Sequence, residues 1–373
     1  MGALAVLGCA DVGLSPGGPG DVRGDAATSP GDYAVGLATI EVASVGGRQL
    51  PVAMWYPARP DAAGTAQPYY GVLPSVALRD APVAEGGPWP VVLFSHAEHS
   101  IKEQSAFLVE RLARAGYVVL APDHLGDTVQ EPLGGALPGT LRERPLDLRA
   151  VLDRLAAHRG SDPEWWVTKL DLAHVAAMGH SLGAVAALSL GGAALDLHAL
   201  GAACASDPSG ALCSRVDPRD LGPFDAGDTR VRAVVAMAPS GVAAFAEGAL
   251  STVTAPVLLL TGADDPLAST DVGEVYVSLT APRWRWTLAD AGHYVFTDFC
   301  AALTLVEPAV QAELGGTCGP QAPMPIGLAH DLVTDVVQSF LDAQLKGDPA
   351  AAARLTEAGA EAANPAIRMD VGP

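Results

Sequence analysis

Between residues 91 and 345 short apolar runs alternate with longer segments whose apolar positions recur three and four apart. The runs 91–94 "VVLF", 117–121 "YVVLA", 174–178 "HVAAM", 231–237 "VRAVVAM" and 256–261 "PVLLLT" predict buried strands. In 283–288 "RWRWTL", Trp284, Trp286 and Leu288 alternate, which predicts one more. Between them, 103–115 carries Phe107, Leu108 and Leu112 at helical spacing, with Gly116 where a helix C-terminus wants glycine. Residues 145–158 place Leu148, Val151, Leu152 and Leu155 on one stripe, and 326–345 do the same with Leu332, Val336, Val337 and Phe340. A further helix is expected over 182–190. Ahead of this region, 37–56 reads as two strands around the Gly46-Gly47 turn, and 58–88 as loop. Strands that are apolar throughout, each followed by a helix, predict a mostly parallel sheet covered on both faces, an α/β fold.

The pattern also divides the chain. Residues 1–31 read as a signal remnant and a Gly/Pro/Asp/Ser-rich disordered tether, 32–346 as the folded domain and 347–373 as a C-terminal tail. Residues 191–230 interrupt the strand–helix alternation with a Gly/Asp/Pro-rich stretch too long for an ordinary connection, which predicts a small cap insertion beside a site.

Composition narrows the functional classes. Of 373 residues 49% are hydrophobic, enough for a large core, and 42 acids against 22 bases leave a net charge of −20. With no basic stripe, a nucleic-acid partner is not expected. No run reaches the roughly 18–20 apolar residues of a membrane span. The opening "MGALAVLGC" is similar to the end of a bacterial lipoprotein signal, with Leu7-Gly8 before an acylated Cys9, although the basic n-region is missing. A secreted or membrane-anchored lipoprotein is the expectation. The other four cysteines, Cys204, Cys213, Cys300 and Cys318, allow three pairings, of which the local one is simplest and suits export.

The candidate chemistry centres on "AAMGHSLGAVAAL", residues 176–188. Gly179-His180-Ser181-Leu182-Gly183 fits G-x-S-x-G, preceded by a predicted strand and followed by a predicted helix. A strand–turn–helix this sharp needs small residues at both glycine positions and lifts the serine hydroxyl above the sheet. A serine needs a base to take its proton, and in such folds acid and then histidine follow the serine along the chain. Downstream lie His198, too near the serine; His330, on the closing helix; and His293, in a loop just past a strand end, which is the candidate base. The acid is expected after the preceding strand, in "LLLTGADDPLAS", where Asp265 before Pro266 is preferred over Asp264. One oxyanion donor is expected from the Leu182 N–H and the second from the loop "SHAEHS", residues 95–100. His96 and His99 in that loop lack the spacing of a zinc site, so neither metal nor other cofactor is expected.

The stretches "LPVAMWYP", "PVVLFSH", "LARAGYVVLAPDHLGDT", "RPLDLRAVLDRL", "MGHSLG", "GHYVFTDFC" and "AHDLVTDVVQSFL" carry a family resemblance over about residues 37–345. The chain resembles the serine α/β-hydrolases, within them the dienelactone-hydrolase-like group related to platelet-activating factor acetylhydrolase, and more distantly the cutinase-like polyesterases. That resemblance implies the α/β-hydrolase fold, a triad of Ser181, Asp265 and His293, the Glu98 N–H as second oxyanion donor, and a small-molecule or polymeric ester as substrate. It departs at the oxyanion loop, where the family's two glycines are Ala97 and His99. Other readings of the same scaffold are an amidase, a thioesterase, or a non-catalytic binding protein. Trp165 and Trp166, before the nucleophile strand, are candidates to shape an acyl pocket together with the cap.

Overall fold

The structure, a computed structural model, describes residues 33–71, 73–131, 136–157, 166–210, 212–220, 222–303 and 324–373. Cys9, the predicted tether, Trp165, the side chain of Trp166 and Cys318 lie outside the described residues.

The strands are β1 (Ala34–Ala43), β2 (Gln49–Ala58), β3 (Leu78–Arg79), β4 (Trp89–Ser95), β5 (Val118–Pro122), β6 (Leu170–His180), β7 (Leu195–Asp196), β8 (Pro223–Phe224), β9 (Val231–Met237), β10 (Val257–Gly262), β11 (Arg283–Leu288) and β12 (Ile367–Gly372). All but β7 and β8, which pair with each other, form a 10-stranded sheet in the order β12-β11-β10-β9-β6-β4-β5-β2-β1-β3. Strands β4, β5, β6, β9, β10 and β11 run parallel. Every residue of β4, β5 and β10 is buried, as strands with helices on both faces require. The β1–β2 hairpin joins antiparallel at one side and β12 at the other.

The helices that matter for the site are α1 (Ala106–Arg114), α2 (Thr140–Ala157), α3 (Trp166–Lys169), α4 (Leu182–Leu190), α5 (Leu197–Ser206), α6 (Ser269–Ser278), α7 (Phe299–Leu303) and α8 (Ile326–Leu345). Helix α2 begins before the expected 145 and carries Pro145 inside; its added first turn includes Arg144, which bonds the loop described below. Helix α4 is buried at every position, so it lies in the middle of the molecule with its N-terminus at the C-terminal end of the sheet.

Residues 347–373 are not a tail. They form helices Pro349–Arg354 and Glu357–Ala363, then β12, which pairs antiparallel with β11 from Arg283↔Gly372 to Leu288↔Ile367. The physical reason is an open edge: β11 would otherwise expose its backbone, and β12 supplies the partner while burying Ile367 and Met369. Trp284 Nε1 donates to the Leu355 carbonyl at 3.1 Å and fixes the same segment from the other side. The fold therefore runs through to the last residues.

In the 191–230 insertion, Leu195 and Leu197 pack with Leu182 and Val185 of α4, Leu141 of α2 and Ala244. A disulfide joins Cys204 to Cys213. Cys300 is also disulfide-bonded.

Candidate active site

Ser181 sits between β6 and α4 with φ 56° and ψ −123°, a conformation that side chains rarely adopt. The surrounding structure holds it there. The Ser181 N–H donates to the Met237 carbonyl at 2.9 Å. A Cβ on Gly179 would overlap the Gly183 carbonyl, and one on Gly183 would run into the carbonyls of Ser95 and His96. The two glycines of G-x-S-x-G are thus demanded by close approach, and the second packs the elbow against the end of β4.

Asp265 and His293 come from the loops after β10 and β11. These loops touch: a Cβ on Gly262 would overlap the Ala291 carbonyl, and the Asp264 N–H donates to that carbonyl at 3.0 Å. Asp264 faces solvent while Asp265 is only 2% exposed. Asp265 Oδ1 accepts from the Leu267 and Ala268 N–H groups at 2.8 and 3.0 Å. Its Oδ2 lies 2.8 Å from His293 Nδ1, and His293 Nε2 lies 3.0 Å from Ser181 Oγ. An ionised carboxylate only accepts, so it fixes the proton on Nδ1 and leaves Nε2 to accept the serine proton. Burial pushes the Asp265 carboxyl up, but the hydrogen bond and charge of His293 and the two amides outweigh it and hold it below its ordinary value. His198 is exposed on α5, and His330 stacks on Phe107 and bonds the Thr297 carbonyl, so neither meets Ser181.

The loop after β4 lies beside the elbow. Its Ala97 N–H donates to Gln104 Oε1 at 2.8 Å and its His99 N–H to Asp127 Oδ1 at 3.1 Å. Arg144, 1% exposed, donates to the carbonyls of His96 and Ala97 at 2.6 and 3.0 Å and is neutralised by Asp127 at 2.8 Å. Burial would raise the Asp127 carboxyl, but Arg144 and Arg215 together hold it at about 2. The Glu98 N–H, between the two occupied amides, faces no acceptor of the described residues. The Glu98 carboxylate turns away to Arg215 of the insertion at 2.9 Å. His99 takes the left-handed conformation, φ 45°, that glycine would adopt more easily; Ala97 does not need it. His96 donates from Nδ1 to the Ala97 carbonyl and accepts at Nε2 from the His124 N–H, so its ring is used by backbone.

A second Ser–His–Asp chain lies one strand away. Ser95 Oγ is 2.8 Å from His124 Nε2, and His124 Nδ1 is 3.0 Å from Asp147 Oδ2. Asp147 Oδ1 also accepts from Arg48 at 2.7 Å and Ser44 at 2.5 Å. All three members are at most 1% exposed.

Sequence reasoning missed Gln104, His180, Asp127 and Arg144. Gln104 meets Ala97 seven residues away, but the other partners that matter lie 17 to 113 residues off, beyond any local spacing. Arg144 and Asp147 do stand in "RPLDLRAVLDRL", where two charges on an otherwise apolar helical stripe were the available signal.

A ferulic acid esterase from Streptomyces cinnamoneus is 22% identical and matches with a TM-score of 0.64 over 92% of this chain and 98% of its own. No family model and no curated protein matches the chain. At that identity the likeness concerns the fold, and with the strand order and the elbow at the end of β6 it shows that the chain has the α/β-hydrolase fold.

Proposed function

We propose that the protein is a serine hydrolase of carboxylic esters working through an acyl-enzyme. The observation that carries this is the chain Ser181 Oγ–His293–Asp265, at 3.0 and 2.8 Å, placed on a strained elbow at the N-terminus of α4. In this reading Ser181 Oγ attacks the ester carbonyl as its proton passes to His293 Nε2. Asp265 keeps the imidazole in the required tautomer and stabilises the cation that forms. The N–H groups of Leu182, first in α4, and of Glu98 hold the oxyanion. His293 then gives the proton to the leaving alcohol, C–O cleavage leaves the acyl group on Ser181, and water reverses the sequence with the same base. No metal or cofactor is needed for any of these steps.

The resemblance to the acetylhydrolase-related group and a fold neighbour described as a ferulic acid esterase both favour esters over amides. Export with acylation at Cys9 belongs to the same proposal, and the Cys204–Cys213 disulfide supports it, since such bonds persist in oxidising compartments. The test is hydrolysis of p-nitrophenyl esters of increasing acyl length by the wild type and by Ser181→Ala. Turnover by the wild type that vanishes in the variant, with an unchanged melting temperature, is expected; equal turnover by both would refute it.

A further inference from the structure

Gln104 and His180 are used by neither the triad nor the oxyanion pair, yet they lie between them. Gln104 precedes α1 and is 5% exposed; His180, between Gly179 and Ser181, is 0% exposed. Gln104 Oε1 accepts from the Ala97 N–H at 2.8 Å. Gln104 Nε2 donates to His180 Nδ1 at 3.2 Å, and His180 Nε2 donates to the His293 carbonyl at 3.0 Å. One buried string thus runs from the oxyanion loop through the elbow to the backbone of His293.

Its direction is set at both ends. A backbone N–H only donates, so the amide oxygen of Gln104 must face Ala97 and its NH₂ must face His180. A backbone carbonyl only accepts, so His180 must carry its proton on Nε2. A proton on Nδ1 would face the Gln104 NH₂ and break the string. Burial, then the neighbouring His293, hold His180 down at about 3, so the ring stays neutral as the string requires.

We infer that Gln104 and His180 are positioning residues that fix the Glu98 N–H relative to His293, so that oxyanion donor and base keep one geometry at Ser181. This rests on the acyl-transfer reading above. Neither residue touches substrate. Both act through backbone: Ala97 is next to Glu98, and the His293 carbonyl fixes where the ring departs. Misplacing reacting groups by about 1 Å can cost about 10²-fold in rate. Two residues in one string should also be non-additive, because either change breaks the whole of it.

The experiment uses the full chain with Gln104→Met, which conserves volume but removes both bonds, His180→Phe, which keeps a ring, and the double variant. Each single variant is expected to lower kcat by about 10- to 100-fold with KM within about threefold. The double variant is expected to be no slower than the worse single variant by more than about threefold. Effects that multiply, that fall on KM, or that are absent overturn the inference. Hydrogen exchange at the Ala97 amide is read in parallel and is expected to quicken in Gln104→Met; an unchanged rate also overturns it. This readout does not depend on turnover. Wild-type protein that hydrolyses no ester would therefore defeat the functional reading, while the exchange rate still decides whether the string holds the loop.

Discussion

Two Ser–His–Asp chains of nearly equal geometry stand side by side in this molecule. Ser181–His293–Asp265 spans 3.0 and 2.8 Å, and Ser95–His124–Asp147 spans 2.8 and 3.0 Å. What separates them is backbone and charge. Ser181 is lifted on a left-handed turn before a helix N-terminus, in an elbow that packs closely against the loop after β4. Ser95 is the last residue of an interior strand and is 0% exposed. The carboxyls differ in the same sense. Asp265 is held below its ordinary value, whereas burial pushes Asp147 up to about 6 despite Arg48, Ser44 and Arg144. Burial, then Arg144, keeps His124 far below the usual imidazole range, so it is a poor proton acceptor. Side-chain distances alone do not make a site. Access, an elbow and oriented N–H donors do.

The largest expected contrast is between the serines. Ser181→Ala should lower kcat by at least about 10⁴-fold without moving the melting temperature. Ser95→Ala should leave kcat within about tenfold. It should cost about 1–3 kcal/mol of stability, because His124 Nε2 is left buried without a partner. Steady-state kinetics and thermal melts of both variants check this.

The acids should divide the same way. Asp265→Asn should cut kcat by about 10⁴, the effect of stabilising the wrong imidazole tautomer. Asp264→Asn, which alters an exposed side chain, should change kcat by less than about tenfold, and a reversed order would reassign the acid.

Stability against pH sharpens the comparison further. With its folded value raised to about 6, Asp147 holds a proton that the unfolded chain has released above about 4. Its contribution is full below about pH 4 and is lost as pH rises through 6, amounting to about 3 kcal/mol. Denaturant unfolding from pH 4 to 7 should show the wild type falling by about that much more than Asp147→Asn, since the buried Asp298, raised to about 7, contributes to both. Parallel curves would mean that Asp147 is not raised.

The smallest effect is expected at Glu98. Its N–H survives Glu98→Ala, and its half-exposed carboxylate pairs with Arg215, so kcat should change by less than about tenfold. A loss of 10²–10³-fold, the scale of a missing oxyanion donor, would mean that the carboxylate itself takes part.

Much of this arrangement was legible in the chain. Interior parallel strands announce themselves as unbroken apolar runs, and Gly179 and Gly183 mark a turn that tolerates no Cβ. Asp265 and His293 followed from chain order and strand ends. The C-terminal segment was not legible: "AIRMDVGP" is short and mixed in polarity, and its partner is a strand some 85 residues earlier. The strings that hold the loop after β4 were hidden for a related reason. Gln104, Asp127, Arg144 and His180 are polar residues whose burial makes sense only once their distant partners are in place. At residue 99 the resembled family has glycine, and His99 takes the left-handed φ that glycine adopts more easily.

The central claim is that Ser181, and not its buried counterpart, is the nucleophile. Reaction of the folded full chain with a fluorophosphonate probe, followed by peptide mapping, tests it most directly. One adduct per chain, on the peptide holding Ser181, is the result expected. No adduct, or an adduct on the peptide holding Ser95, would contradict it.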